Sequence, residues 1–255
     1  MRTITVLFVS AALLVGCGGG DSKPKLDENG LNFIAEGLRD DVNVAMQDGK
    51  STLTKKQALE ISGIQGIVST TQLAKEYDAN EVSADEKYKK KPIIVNGRVQ
   101  SINKDFMDKP YLVLSGSNMF QTVQAKFDKA NTSELSSMKK GQNVQLVCQV
   151  DNYVIGSVML GDCQNLNSYL VRQKDKIKSL GSDIVLGKQS MGEKNDETIR
   201  SLYIIGKNLP LDSPCHADIA SKECQSALKN LPEEVKAKVK AEIDAAKPKS
   251  TEKPR

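Results

Sequence analysis

Hydrophobic and polar positions alternate most regularly between Ile93 and Ile102, where Val95, Gly97 and Val99 are interleaved with Asn96, Arg98 and Gln100. A period of two puts the apolar set on one face of a strand. Three more β-rich runs come after it, Tyr111 to Leu114, Phe120 to Phe127 and Val144 to Val150. A fifth, Val154 to Leu160, comes after a polar turn expected at Asp151 and Asn152. Between the third and fourth runs, Asn131 to Met138 reads as a short helix with Asn131 or Thr132 as its N-cap. Upstream the period changes to three and four. Leu31, Ile34, Leu38, Val42 and Ala45 form the apolar stripe of an amphipathic helix, expected to pack on the body of the protein and broken at Asp48-Gly49-Lys50-Ser51. A second helix is expected to start at Ser69, which has capping-box spacing to Gln72, and to carry Leu73, Ala74 and Tyr77 into the first strand.

After Leu166 the chain turns helical and polar. Leu170, Ile177 and Leu180 lie among lysines, and Gly181, Gly187 and Gly192 interrupt the residues beyond Leu180. Ile199 to Ile205 fits a helix or a short strand, and Pro210 to Pro214 a loop. A last helix from Pro232 carries Val235, Val239 and Ile243, with Glu233 and Glu234 where the helix dipole favours acids. Three strands, a helix and two strands is the order of an OB-fold. The expected class is therefore mixed α and β, a five-stranded OB-fold β-barrel with N-terminal and C-terminal helical extensions.

The first residues alter this picture by giving it a location. Arg2 precedes an apolar run, Ile4 to Leu14, too short to span a bilayer and suited to the core of a signal peptide. It ends in Leu14-Val15-Gly16-Cys17, which is similar to the bacterial lipobox. That resemblance implies cleavage before Cys17 and its lipidation with diacylglyceryl and palmitate-type chains. Gly18 stands where lipoproteins retained at the inner membrane carry Asp, so the implied destination is the outer membrane, facing the periplasm. The expected layout is signal peptide 1–16, flexible tether 17–30, helical segment 31–68, OB-fold domain 69–164, helical extension 165–246 and disordered tail 247–255.

Composition narrows the function classes. With 39% hydrophobic residues, 4% aromatic and no Trp, one modest core with solvated appendages is expected. The total of 36 basic against 32 acidic residues is too even for an obvious polyanion binder. Position matters more than the total, because Lys87 to Gln164 holds 11 Lys and Arg against 6 Asp and Glu.

The runs Leu73 to Val82, Ala84 to Lys91 and Val95-Asn96-Gly97-Arg98-Val99 resemble the tRNA_anti-like family of bacterial OB-fold proteins, many of them lipoproteins. The likeness continues through Lys109-Pro110-Tyr111-Leu112, Gln124 to Phe127, Leu135, Lys139-Lys140-Gly141-Gln142 and Gly161-Asp162-Cys163, and ends at Gln164. Lys90 stands where the family often has Gly, a departure expected to add a charge without disturbing the fold. The resemblance implies the OB-fold and leaves nucleic-acid binding open.

Without Cys17, four cysteines remain in an exported chain, which allows three pairings. Cys148 with Cys163 and Cys215 with Cys224 are favoured. Strict alternation puts Cys148 and Cys163 on different faces, so the first pair requires a bulge or strand end near Gly161. A metal at Cys215, Cys224 and His216 is disfavoured, with one His and no close CxxC, so no metal or cofactor is expected. A hydrolytic triad would need His216, the only His, and adjacent acids such as Asp40-Asp41 diverge on a helix, so no enzyme is expected. Chemistry is left to the barrel surface. OB-folds bind across strands 2 and 3 and under the loops joining strands 1 to 2 and 4 to 5, which here supply Lys104, Phe106, Lys109, Tyr111, Gln124 and Lys126, with Asn152 and Tyr153 from the last loop. The function expected is a non-catalytic binding or assembly module, anchored to the membrane, for an envelope protein, a polysaccharide or another envelope polymer. The alternative is a single-strand nucleic-acid binder in the envelope.

Overall fold

A computed structural model of the protein describes residues 25–118, 120–127 and 132–246. The signal peptide, Cys17, most of the tether, Asn131 and the tail 247–255 lie outside the described residues. Six strands form one sheet: β1 (Ile67–Ser69), β2 (Pro92–Lys104), β3 (Pro110–Ser115), β4 (Thr122–Phe127), β5 (Asn143–Val154) and β6 (Ser157–Gln164). Their order is β1-β2-β3-β4-β6-β5, and β5 pairs back to β2. The five strands β2 to β6 therefore close into an OB-fold barrel, with β1 as a short parallel addition to β2.

Alternation decides what fills it. Val95, Val99, Leu112, Leu114, Val123, Ala125, Leu146, Val158 and Leu160 point inward and are buried. The N-terminal segment supplies α1 (Glu28–Met46) and α2 (Lys55–Ser62). Helix α3 (Thr70–Ala79) plugs one end of the barrel with Leu73, Ala74 and Tyr77, and α4 (Glu81–Tyr88) leads from it into β2. The short helix expected between the third and fourth barrel strands is α5 (Thr132–Ser136), which adds Leu135 to the barrel core. The Ser69 hydroxyl caps α3 by accepting from the Gln72 amide at 3.1 Å. The Gln72 side chain reaches forward to Glu76 and not back to Ser69, so only half of the expected box forms. The full box is at Thr54 and Gln57, opening α2.

The polar turn expected at Asp151 and Asn152 is not a turn. Both residues lie within β5, which runs on to Val154, and the chain reverses at Ile155 and Gly156, with φ of 46° and 75°. A bulge at Asp151 absorbs the break in alternation: Val150 pairs with Leu160 and Asn152 with Met159. A second bulge turns Cys163 inward, as the disulfide requires. Strand β6 has one residue more than β4 between Leu160 and Cys163, and Asp162 there has φ of 50°. The Cys148–Cys163 disulfide is thereby accommodated, and Cys215 is joined to Cys224.

The flanks form a second body. Helices α1, α2, α6 (Leu166–Arg172), α7 (Lys174–Val185) and α8 (Glu193–Asn208) share one core. Close approach to α1 depends on glycines: Gly181 sits against Ile34 and Gly206 against Phe33, where a Cβ would collide. A 3-10 turn (Pro214–His216), α9 (Lys222–Lys229) and α10 (Glu233–Ala246) complete the described chain, and the second disulfide seals a small core under α1 with Phe33 and Leu209. The bundle core also contains Ile94 and Val147, apolar residues on the outside of the barrel that stand opposite each other on β2 and β5. The bundle is thus seated on the outer face of β2 and β5.

Candidate binding face

Among the described residues, no such cover lies on the outer face of β3, β4 and β6. Side chains at Tyr111, Val113 and Ser115 on β3 and Thr122, Gln124 and Lys126 on β4 alternate outward and are half-buried or exposed. Register sets them in rows. Asn103, Tyr111 and Lys126 form one, and Ser101, Val113, Gln124, Met159 and Asn152 another, running across four strand pairings from β2 to β5. The face is mostly uncharged: hydroxyls, carboxamides, one phenol and two apolar side chains, with Lys126 at its edge.

Of the eight residues expected here, the structure brings Tyr111, Gln124, Lys126 and Asn152 together. Asn152 arrives through the strand and not through a loop. Tyr153 is taken away from the face. In register with the buried Val158, it turns inward, and its ring packs on Tyr77 with centroids 5.5 Å apart. Burial, with Asp78 nearby, pushes its hydroxyl above the ordinary tyrosine value. Lys104 pairs in register with the buried Pro110, on the opposite side of the hairpin from Tyr111, and makes an ion pair with Asp108 at 3.7 Å.

Phe106 and Lys109 lie in the β2–β3 loop, which is organised by Asp105. Its carboxylate accepts from the amides of Met107 and Lys109 at 2.8 and 2.9 Å. The Lys109 amide, then that of Met107, holds the Asp105 carboxyl below its ordinary value. The turn leaves Phe106 98% exposed, an apolar tip beside the row that begins at Asn103.

The basic excess from Lys87 onward is offset once α3 and α4 are counted, since Thr70 to Gln164 holds 12 Lys and Arg against 11 Asp and Glu, and three of its lysines pair with acids around the α3–α4 cap. Lys87 bonds Glu76 at 2.8 Å, Lys89 bonds Asp85 at 2.6 Å and Lys90 bonds Asp151 at 2.5 Å. A count starting at Lys87 leaves out Glu76 and Asp85. Lys109 and Lys126 form no salt bridge among the described residues. Lys90 also differs from the expectation of a neutral replacement, because its φ is 56°, a conformation that favours glycine.

The Nε2–H of His216 donates to the Pro210 carbonyl at 2.9 Å, away from this face. Among the described residues, no group of three His, Cys, Asp or Glu side chains is placed to hold a metal.

A solved structure from Klebsiella pneumoniae subsp. pneumoniae MGH 78578, described as a candidate nucleic acid-binding lipoprotein, is 16% identical, covering 38% of this chain and 90% of that one with a TM-score of 0.33. A candidate aspartyl-tRNA synthetase from Leishmania major Friedlin is 12% identical, covering 39% of this chain and 20% of that one with a TM-score of 0.28. No curated protein matches the chain. The family model for tRNA_anti-like proteins matches residues 2–164, nearly two thirds of the sequence and the whole of the barrel, and this chain belongs to the tRNA_anti-like family of OB-fold proteins.

Proposed function

We propose that this chain is a non-catalytic binding or assembly module of the bacterial envelope, held by lipid at Cys17, with the outer face of β3, β4 and β6 as its ligand surface. The observation that carries this reading is the division of the barrel's outside: helices occupy the β2 and β5 face, while the rows through Tyr111 and Gln124 stay open. Carboxamides and hydroxyls that both donate and accept suit a protein backbone or a glycan, and Tyr111 adds a flat apolar surface beside them.

Helix α1 supports the anchored arrangement. Its first turns pack on α8, where Gly30 meets Tyr203 and Gly206 meets Phe33, whereas Asn43 and Gln47 near its other end lie by Gln145 of β5. Nineteen residues of helix extend about 28 Å. A tether from Cys17 would therefore enter at the end of the bundle remote from the barrel, and the barrel would stand away from the membrane. Gly18 after the acylated Cys favours the outer membrane, periplasmic side. None of the described helices is long and apolar enough to span a bilayer, in keeping with an anchor and not a spanning segment.

Single-strand nucleic acid is the second reading, favoured by Lys109 and Lys126 flanking Tyr111. Salt separates the two. Binding of single-stranded DNA through several phosphates falls by orders of magnitude between about 50 and 200 mM salt. The expected result is no measurable DNA binding, together with capture of an envelope protein or glycan by the mature chain that is lost in a Tyr111→Ala, Gln124→Ala double variant. Steeply salt-dependent DNA binding lost in that same variant would replace the first reading with the second.

A further inference from the structure

We propose that two abutting turns at one end of the open β3, β4 and β6 face are an anchor seated in an apolar pocket of a partner protein, a role that rests on the reading of that face as the ligand surface and makes its ligand a protein. The turns are residues 116–121, between β3 and β4, and Ile155 with Gly156, between β5 and β6. They meet because β4 and β6 run parallel from Thr122 and Ser157, whose hydroxyls bond at 2.9 Å. The Thr122 amide donates to the Gly156 carbonyl at 3.4 Å, and a Cβ on Gly156 would stand 3.4 Å from the Phe120 carbonyl oxygen.

Ile155 is the residue that points to a partner. The β5–β6 turn has two residues, both with positive φ, 46° at Ile155 and 75° at Gly156. Such a turn suits Asn or Asp followed by Gly, and a β-branched residue is among the least suited to its first place. The other described non-glycine residues with positive φ are Asp48, Lys90, Asp108 and Asp162, none of them β-branched. Nothing within the fold offsets the strain, since Ile155 is 96% exposed and buries almost no apolar surface. An asparagine would suit both the backbone and the water, so isoleucine is explained by a contact made outside the chain.

Phe120 is carried on the adjoining turn and is 82% exposed. The backbone beneath it is fixed: the Asn118 side chain accepts from the amides of Phe120 and Gln121 at 2.8 and 3.1 Å, and the Thr71 hydroxyl donates to the Gly116 carbonyl at 3.3 Å. An aromatic and an aliphatic side chain held out on fixed turns lose little freedom on binding, as interface anchors do.

Charge selects the partner. In a chain with 27% charged residues, the stretches 110–125 and 152–161 contain none. The tip thus offers no cation to a phosphate polymer or an anionic headgroup, and an aliphatic side chain makes no hydrogen bond to sugar hydroxyls. In the anchored arrangement the tether enters the bundle at the end remote from the barrel, so the anchoring bilayer is not beside these turns. Two hollows of this chain with apolar floors carry carboxylates, Asp40 and Asp41 in one and Glu60 and Asp183 in the other, so a second copy does not match an uncharged tip there. A pocket with apolar walls and an uncharged rim on another protein does.

The test uses the full chain in intact cells with a benzophenone derivative of phenylalanine at position 120, which keeps the ring. The expected result is a discrete crosslinked species in which mass spectrometry finds peptides of another protein, reduced about tenfold or more by Ile155→Asn. The same substitution in the purified mature chain should raise the thermal unfolding midpoint by about 2 °C or more, because Asn accepts the left-handed backbone. A merely structural role for Ile155 would lower it. Loss of the species in Ile155→Asn but not in the Tyr111→Ala, Gln124→Ala variant supports the anchor and counts against the wider face, whereas loss only in the latter overturns the anchor and leaves the face. Crosslinks to lipid, a dimer of this chain, no species at all, or a lowered midpoint would each overturn the proposal.

Discussion

Two outer faces of one barrel obey the same alternation and have opposite fates. On β2 and β5 the outward side chains include Ile94 and Val147, 0% and 2% exposed, and five helices from both ends of the chain close over them. On β3, β4 and β6 the outward positions include Tyr111, Gln124, Lys126 and Met159, with Asn152 from the end of β5 beside them, and nothing among the described residues covers them. A strand pair buried on both sides must be apolar on both sides, and a pair with one open side need not be. Val113 and Met159 on the open face are apolar too but only half-buried, so burial under the bundle, and not apolar character alone, separates the two faces.

The largest effect should come from placing a charge on each face. Val147→Asp buries an unpaired carboxylate between bundle and barrel and is expected to cost about 3 to 5 kcal/mol in urea unfolding. Gln124→Asp on the open face should stay within about 0.5 kcal/mol. Equal costs would mean that the two faces are not different.

The disulfides rank second. The Cys148–Cys163 bridge spans 15 residues within the barrel, and its removal by a double Ser variant should cost about 3 kcal/mol by loop entropy. The Cys215–Cys224 bridge spans 9 and should cost about 2.5 kcal/mol, with loss confined to the bundle as read by amide hydrogen exchange. Intact mass before and after reduction checks that both bridges form.

Lys90→Gly should raise stability by up to about 1 kcal/mol, because relief of the left-handed backbone outweighs a surface ion pair with Asp151. The smallest effect concerns acid. Partial burial pushes the Glu76 carboxyl up, but hydrogen bonds from Lys87, Gln72 and Tyr88 outweigh it and leave it below 4.5. A hydrogen bond from Lys89 likewise holds Asp85 below 3.8. Values lowered by folding contribute stability that is fully present above those figures and lost as pH falls through the folded values. The α3–α4 cap should therefore loosen below about pH 4, as tracked by resonances of Tyr77 and Tyr88.

The barrel could be read in the sequence because Ile93 to Ile102 and its partners alternate cleanly, and α1 because its stripe has one period. Two things obscured the face. Bulges at Asp151 and Asp162 shift alternation by one residue, so Asp151-Asn152 looked like a turn and Tyr153 like a loop residue when it is a core residue. The outward Ile94, in a strand otherwise polar on that side, was the one signal that a second body covers it. Helix α4 and the capping box at Thr54 were missed in the sequence, although Asn80 and Thr54 are residues of N-cap type.

The most direct measurement is photo-crosslinking from the full chain in intact cells, with a benzophenone amino acid replacing Gln124 on the open face or Lys56 on the outside of the helical cover. The account predicts a discrete crosslinked species from position 124 that is absent from position 56. The same species from position 56, or crosslinks from neither, would contradict it.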